Sequence, residues 1–140
     1  HPDRMRAVVA HVGIFDMLRV ELSPNGVFNI PEFGTVKDPD QFRALYAYSP
    51  YHRVKDGAKY PAMLFLTGAN DPRVDAMQSR KMVARLQDAN ASSEPILLRT
   101  RSNTGHGGDS PLSARIEQTV DVYSFLVDRL GVKLRTTPAE

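Results

Sequence analysis

Three short apolar runs divide the chain. "RAVVAHVG" (6–13) closes on Gly13, "YPAMLFLTG" (60–68) lies around Pro61 and Gly68, and "EPILLRTRS" (94–102) is brief and polar at its end. Runs of this length between turn residues predict strands. The middle run is apolar at every position from Ala62 to Leu66, which suits a central parallel strand covered on both faces. Two longer segments follow a helical period. In 74–90, Met82, Val83, Leu86 and Ala89 share a face, while Arg80, Lys81, Arg85 and Gln87 lie largely elsewhere. Met77 and Met82 are expected to fill the core. In 110–131, Ile116, Val120, Tyr123, Val127 and Leu130 form the expected buried stripe. Ser110 is the expected N-cap, Pro111 sits at the first turn, and Gly131 is the stop.

The segment 37–50, "KDPDQFRALYAYSP", predicts a short helix with Asp38 as N-cap and Pro39 as first residue, ended by Ser49-Pro50. Residues 14–36 are punctuated by Pro24, Asn25-Gly26, Pro31 and Gly34 and predict loop. Strands alternating with helices predict the α/β class, a parallel sheet with crossover helices. Such sheets bind ligands beyond the carboxyl ends of their strands. Asp71 and Arg73 follow the second strand and His106 the third, so the two loops can meet.

Composition narrows the rest. One domain accounts for 140 residues, with 132–140 expected to fray as a polar tail. The net charge is only +2 and both signs are mixed along the chain, which argues against a nucleic-acid arm. There is no cysteine, which excludes disulfides and thiol nucleophiles and leaves the compartment unknown, cytoplasmic and periplasmic alike. No apolar run nears the ~18 residues of a membrane span. No histidine–carboxylate spacing points to a metal and no Gly-rich loop carries the Lys of a phosphate site, so no cofactor is implied. The opening "HPDRMRAVV" runs straight into a strand and reads as a segment cut from a longer chain.

An aspartate and a histidine on adjacent strand-end loops suit an orienter and a general base. The imidazole takes a proton on one nitrogen while the carboxylate fixes the other. Gly105, Gly107 and Gly108 permit close backbone approach around His106. Taken alone, an aspartate in the place of Asp71 is more often a helix cap or turn residue, and a loop histidine such as His106 is more often solvated.

A resemblance is more specific. "PAMLFLTGANDPRVDAMQSRKMVARLQ" resembles the segment carrying the triad aspartate in the prolyl oligopeptidase family of serine peptidases, and "TGHGGD" resembles its histidine loop. "RAVVAHVGIFDMLRV", "PEFGTVKDP" and "YSPYHRV" resemble the stretch between nucleophile and aspartate. The likeness spans nearly the whole chain except its last few residues. It implies the C-terminal half of an α/β-hydrolase fold, with Asp71 as triad aspartate, His106 as triad base and Arg73 holding a substrate carbonyl. The chain departs from the family twice. It has no Gly-x-Ser-x-Gly-Gly elbow, so the nucleophile, its oxyanion donor and the propeller domain are expected upstream of His1. It also has no tryptophan: Asn29 stands where proline-specific members carry one, leaving Phe33 to line an apolar pocket.

The implied function is hydrolysis of short peptides by a Ser-Asp-His triad, with the 140 residues inactive alone. Two alternatives stand beside it: an esterase or acyl hydrolase on the same fold, and a truncated, non-catalytic assembly or binding domain. The expected partners are a peptide substrate, no nucleic acid and no membrane. A sheet edge left open predicts either a homodimer or association with the missing N-terminal part.

Overall fold

The computed structural model of the chain describes residues 1–102, 105–106 and 111–133. Ser110, Gly107, Gly108 and residues 134–140 of the expected tail lie outside them; the last helix begins at Leu112 with Pro111 at its N-cap, one position later than expected. Three strands, β1 (Ala7–His11), β2 (Ala62–Gly68) and β3 (Ile96–Arg101), form a parallel sheet in the order β1-β2-β3. Each matches one of the apolar runs. β2 is buried along its whole length, as a central strand should be, whereas β1 is half-buried and exposes His11. The outer edge of β1 has no neighbouring strand among the described residues.

Five helices are described: α1 (Ile30–Phe33), α2 (Pro39–Tyr48), α3 (Pro50–Arg53), α4 (Met77–Ala89) and α5 (Leu112–Leu130). α2 starts as its sequence requires. Asp38 Oδ1 accepts from the backbone N–H groups of Asp40 and Gln41 at 2.9 and 3.0 Å, a cap worth about 1 kcal/mol. The segment 14–36 is more ordered than its punctuation predicts. It contains 3-10 turns at Val20–Leu22 and Gly26–Asn29, then α1, which Gly34 closes at a φ of 95°. Pro31 sets the helical φ at the start of α1, so the residue read as a loop marker is a helix initiator. Pro50 plays the same double role, stopping α2 and opening α3.

α4 covers one sheet face. Met82, Val83 and Leu86 pack on Met63, Phe65 and Ile96, and the Phe15 ring meets Phe65 edge-on at 5.3 Å. Met77 does not join them and is 47% exposed. Five residues separate it from Met82, which at 100° per residue turns it about 140° away.

α5 covers the other face, but not through its expected stripe. Ile116, Val120, Tyr123 and Leu130 are exposed, while Phe125, with Val122 and Leu126, packs against Ala62, Leu64 and Leu66. At the margin of that contact, Arg99 and Arg101 of β3 meet polar residues of the same helix. Arg99 Nε lies 2.7 Å from Asp121 Oδ2, an ion pair whose angles fall short of a hydrogen bond, and Arg101 donates to Gln118 at 2.9 Å. Gly131, at a φ of 68°, ends the helix in the left-handed region, where glycine carries no Cβ penalty.

A smaller core of Met17, Val20 and Leu45 fixes the 14–36 segment to α2. The strand order brings the carboxyl ends of β1, β2 and β3 to one rim, at His11, Gly68 and Arg101. There the chain leaves β1 through Val12, a β-branched residue at a φ of 42°. That conformation costs on the order of 1–3 kcal/mol and is held by a bond from its N–H to Leu66 O at 2.9 Å.

Candidate active site

The loop 69–76 leaves β2 and enters α4. Its first residue extends the ladder, with Ala69 N–H donating to Arg101 O at 2.9 Å. Asp71 then folds its own loop around itself: Oδ1 accepts from the backbone N–H groups of Arg73 and Val74 at 2.8 and 3.0 Å. This side-chain turn is what an aspartate supplies in such a corner. It leaves Oδ2 free to meet His106 Nδ1 at 2.8 Å. The Asp71 side chain is wholly shielded from solvent, and that of His106 is one-third exposed. A carboxylate only accepts, so Nδ1 carries the proton and Nε2 is the basic nitrogen. Nε2 has no hydrogen-bond partner among the described residues. The carboxylate thus fixes one imidazole tautomer.

Arg73 is exposed, two residues beyond Asp71, and its guanidinium makes no ion pair among the described residues. Asn29 and Phe33 are not joined to the pair. Phe33 packs on the Met17, Val20 and Leu45 core, and Asn29 precedes α1 without capping it. A different residue of that segment reaches the loop: the Asn25 side-chain amide donates to Pro72 O. A second amide, that of Asn70, donates to Ser102 O at 3.0 Å. Neither asparagine stands out in the sequence, because each partner lies more than 30 positions away.

No serine hydroxyl hydrogen-bonds to His106 among the described residues. Ser49 and Ser79 are buried, at 0% and 2% exposure. Ser49 does belong to a group with triad-like composition. Its Oγ lies 2.8 Å from His52 Nδ1, and Asp16 Oδ1 lies 3.9 Å from the same nitrogen. Both groups address one ring nitrogen, so no proton relay can run through the ring, and Ser49 is sealed from any substrate.

Asp16 is the centre of a structural cluster that the sequence did not announce. Its buried carboxylate holds Lys81 and, at 3.0 Å, Arg19. Burial alone would raise its pKa, but the hydrogen bonds from Lys81 and Arg19, with their charges, outweigh that and hold it below its ordinary value. The His52 imidazole is pushed down from its ordinary value, chiefly by burial, with Arg19, Lys81 and Arg53 adding to the effect against the pull of Asp16. Gln78 completes the clamp. Its Oε1 accepts from the backbone N–H groups of Phe15 and Asp16 at 3.0 and 2.7 Å, tying the segment that follows β1 to the first turn of α4.

Among the described residues no group of His, Cys, Asp and Glu could hold a metal ion, and no helix is long and apolar enough to cross a membrane. A groove of about 770 Å³ runs along the outer face of α5, lined by Val120, Tyr123 and Val127. It is mainly apolar, with Thr119, Ser124 and Asp128 also on its wall, and lies on a different element from the Asp71–His106 pair.

Known proteins share this arrangement of chain. A prolyl endopeptidase of Dictyostelium discoideum is 36% identical over 136 residues, spanning 95% of this chain and 18% of that protein. A prolyl endopeptidase of Elizabethkingia miricola is 34% identical over 133 residues. Among solved structures, a prolyl endopeptidase superposes with a TM-score of 0.91 at 43% identity, covering 94% of this chain and 20% of that one. Prolyl oligopeptidase B of Galerina marginata gives 0.87 at 31% identity, covering 94% and 18%. The chain thus spans about a fifth of the length of these relatives, and its sheet and helices are those of an α/β-hydrolase fold. The sequence profile of the Prolyl oligopeptidase family matches residues 1–133, and the chain belongs to that family.

Proposed function

We propose that the chain is the C-terminal part of a serine peptidase catalytic domain, in which Asp71 and His106 serve a nucleophilic serine supplied from outside these 140 residues. The observation that carries this reading is the 2.8 Å contact between Asp71 Oδ2 and His106 Nδ1, made by a carboxylate shielded from water. His106 Nε2 takes the serine proton as the hydroxyl attacks a peptide carbonyl and later returns it to the leaving amine. Asp71 holds the ring in the tautomer that allows this and stabilises the imidazolium that forms. Water then hydrolyses the acyl-enzyme, with no metal or cofactor.

Arg73 is the group that would hold a substrate carbonyl. An exposed guanidinium beside the pair, with no ion pair among the described residues, fits that task. Phe33 and Asn29 would line the pocket from the 14–36 segment, which Asn25 links to the Asp71 loop. The names of the relatives favour prolyl peptide substrates for the intact protein. The open edge of β1 and the apolar outer face of α5 suit contact with the remainder of such a domain.

The test uses the intact protein, a prolyl amide, an activated p-nitrophenyl ester and a serine-directed phosphonate. The expected result is phosphonate labelling and amide hydrolysis, both lost in His106→Ala. Ester turnover without amide turnover would replace the peptidase by an esterase on the same fold. Absence of labelling and of both activities would leave an assembly domain.

A further inference from the structure

Asp71 and His106 sit on different loops, and the contact between them depends on how far apart those loops are held. The Asp71 side is fixed locally by the bonds from Arg73 N–H and Val74 N–H to its Oδ1. The remaining variable is the gap between 69–76 and the start of the His106 loop. The parallel ladder of β2 and β3 pairs Gly68 with Arg101, and Ala69 N–H adds a rung to Arg101 O at 2.9 Å. One residue further on each strand, the rung is made by a side chain: Asn70 Nδ2 donates to Ser102 O at 3.0 Å. Asp71 and His106 join the two loops once more at 2.8 Å. Gly105 of the other loop lies beside this tie: a Cβ there would sit 3.7 Å from Pro72 Cδ and 3.9 Å from Asn70 O, at ordinary contact.

Resting on the peptidase reading above, we infer that Asn70 is a positioning residue that sets the spacing of the Asp71–His106 pair by continuing the β2–β3 ladder through its side chain. It touches neither reacting atom. Its amide replaces the backbone rung that the turn at Asp71 removes, and the carbonyl it holds belongs to the segment leading into His106. Losing this tie lets the histidine loop drift from the carboxylate while the Asp71 turn and the substrate contacts of Arg73 stay in place. The loss therefore falls on turnover rather than on substrate binding.

The experiment compares Asn70→Ala, Asn70→Gln and Asp71→Asn in the intact protein, using amide hydrolysis and the low-field proton NMR signal of the imidazole N–H facing the carboxylate. Asn70→Ala is expected to lower kcat about tenfold, the scale of one lost hydrogen bond, with KM changed less than about twofold. The low-field proton should broaden or disappear. Asn70→Gln, which keeps the donor on a longer stem, should recover part of both. Unchanged kcat and an unchanged proton signal in Asn70→Ala, beside an inactive Asp71→Asn, would overturn the role of Asn70 alone. Full activity in Asp71→Asn would overturn the peptidase reading beneath it. A uniform loss of kcat with the proton signal intact would make Asn70 a stability residue and also overturn the inference.

Discussion

Asp71 Oδ1 and Oδ2 do different jobs: one accepts two backbone N–H groups of its own loop, and the other meets His106 Nδ1 at 2.8 Å. The first job needs only an acceptor, which asparagine retains. The second needs a carboxylate, because an amide NH₂ facing Nδ1 favours the wrong imidazole tautomer. Asp71→Asn is therefore expected to fold normally and to lower kcat of the intact protein by about 10⁴-fold. Asp71→Ala should lose the turn as well and unfold more readily. Thermal unfolding with steady-state kinetics on both variants checks this, and an active Asp71→Asn would remove the proposed role.

Arg73 offers a separate test. Its backbone N–H serves Asp71, whereas its guanidinium has no ion-pair partner among the described residues. Arg73→Ala keeps the backbone bond, so the Asp71–His106 pair should survive. The expected loss is about 10–100-fold in kcat/KM for a peptide amide, the scale of a charged hydrogen bond to substrate, and less for a small activated ester. Arg73→Lys should recover only part, since a point charge does not reproduce the planar fork. Equal losses on amide and ester would count against a peptide-binding arginine.

The Asp16–His52 cluster predicts how stability responds to acid. The His52 imidazole is depressed in the fold, mainly by burial. Below about pH 6.5 the unfolded chain binds a proton at His52 that the folded chain resists, so the stability present above that pH is lost as pH falls toward the folded value. Asp16 is also depressed, so its contribution is present above its ordinary value of 3.8 and is lost at still lower pH. Urea midpoints from pH 8 to 3 should show both windows. His52→Gln should flatten the upper one and leave the lower one. Asp16→Asn should cost about 2 kcal/mol near neutral pH, less than the ~3–5 of a fully buried pair, because Arg19 is half-exposed and Lys81 partly so.

The outer face of α5 carries Ile116, Val120 and Tyr123, each more than half exposed. An apolar stripe of this kind is a contact surface or an aggregation hazard. The isolated 140-residue chain is expected to self-associate, and Ile116→Ser with Val120→Ser to reduce that association. Sedimentation at several concentrations measures it, with a clean monomer for the unsubstituted chain contradicting the expectation. The same isolated chain should remain unlabelled by a serine-directed phosphonate.

Much of this molecule is written locally. The unbroken apolar run of β2, bounded by Pro61 and Gly68, suited a covered strand, and Asp38-Pro39 could open α2 because capping needs atoms only two and three residues ahead. The order of strands and helices placed Asp71 and His106 at one rim, and the motif around them pointed to the same pair. What the sequence left open was any choice between equals. α5 has apolar residues on two faces, and its period could not say which is inside; the sheet decided it, where Ala62, Leu64 and Leu66 receive Val122, Phe125 and Leu126. Asn25, Asn70, Asp16 and Lys81 look like ordinary polar residues until the sheet brings their partners within reach. Their roles depend on backbone geometry summed over long stretches of chain, and only the tertiary structure performs that sum.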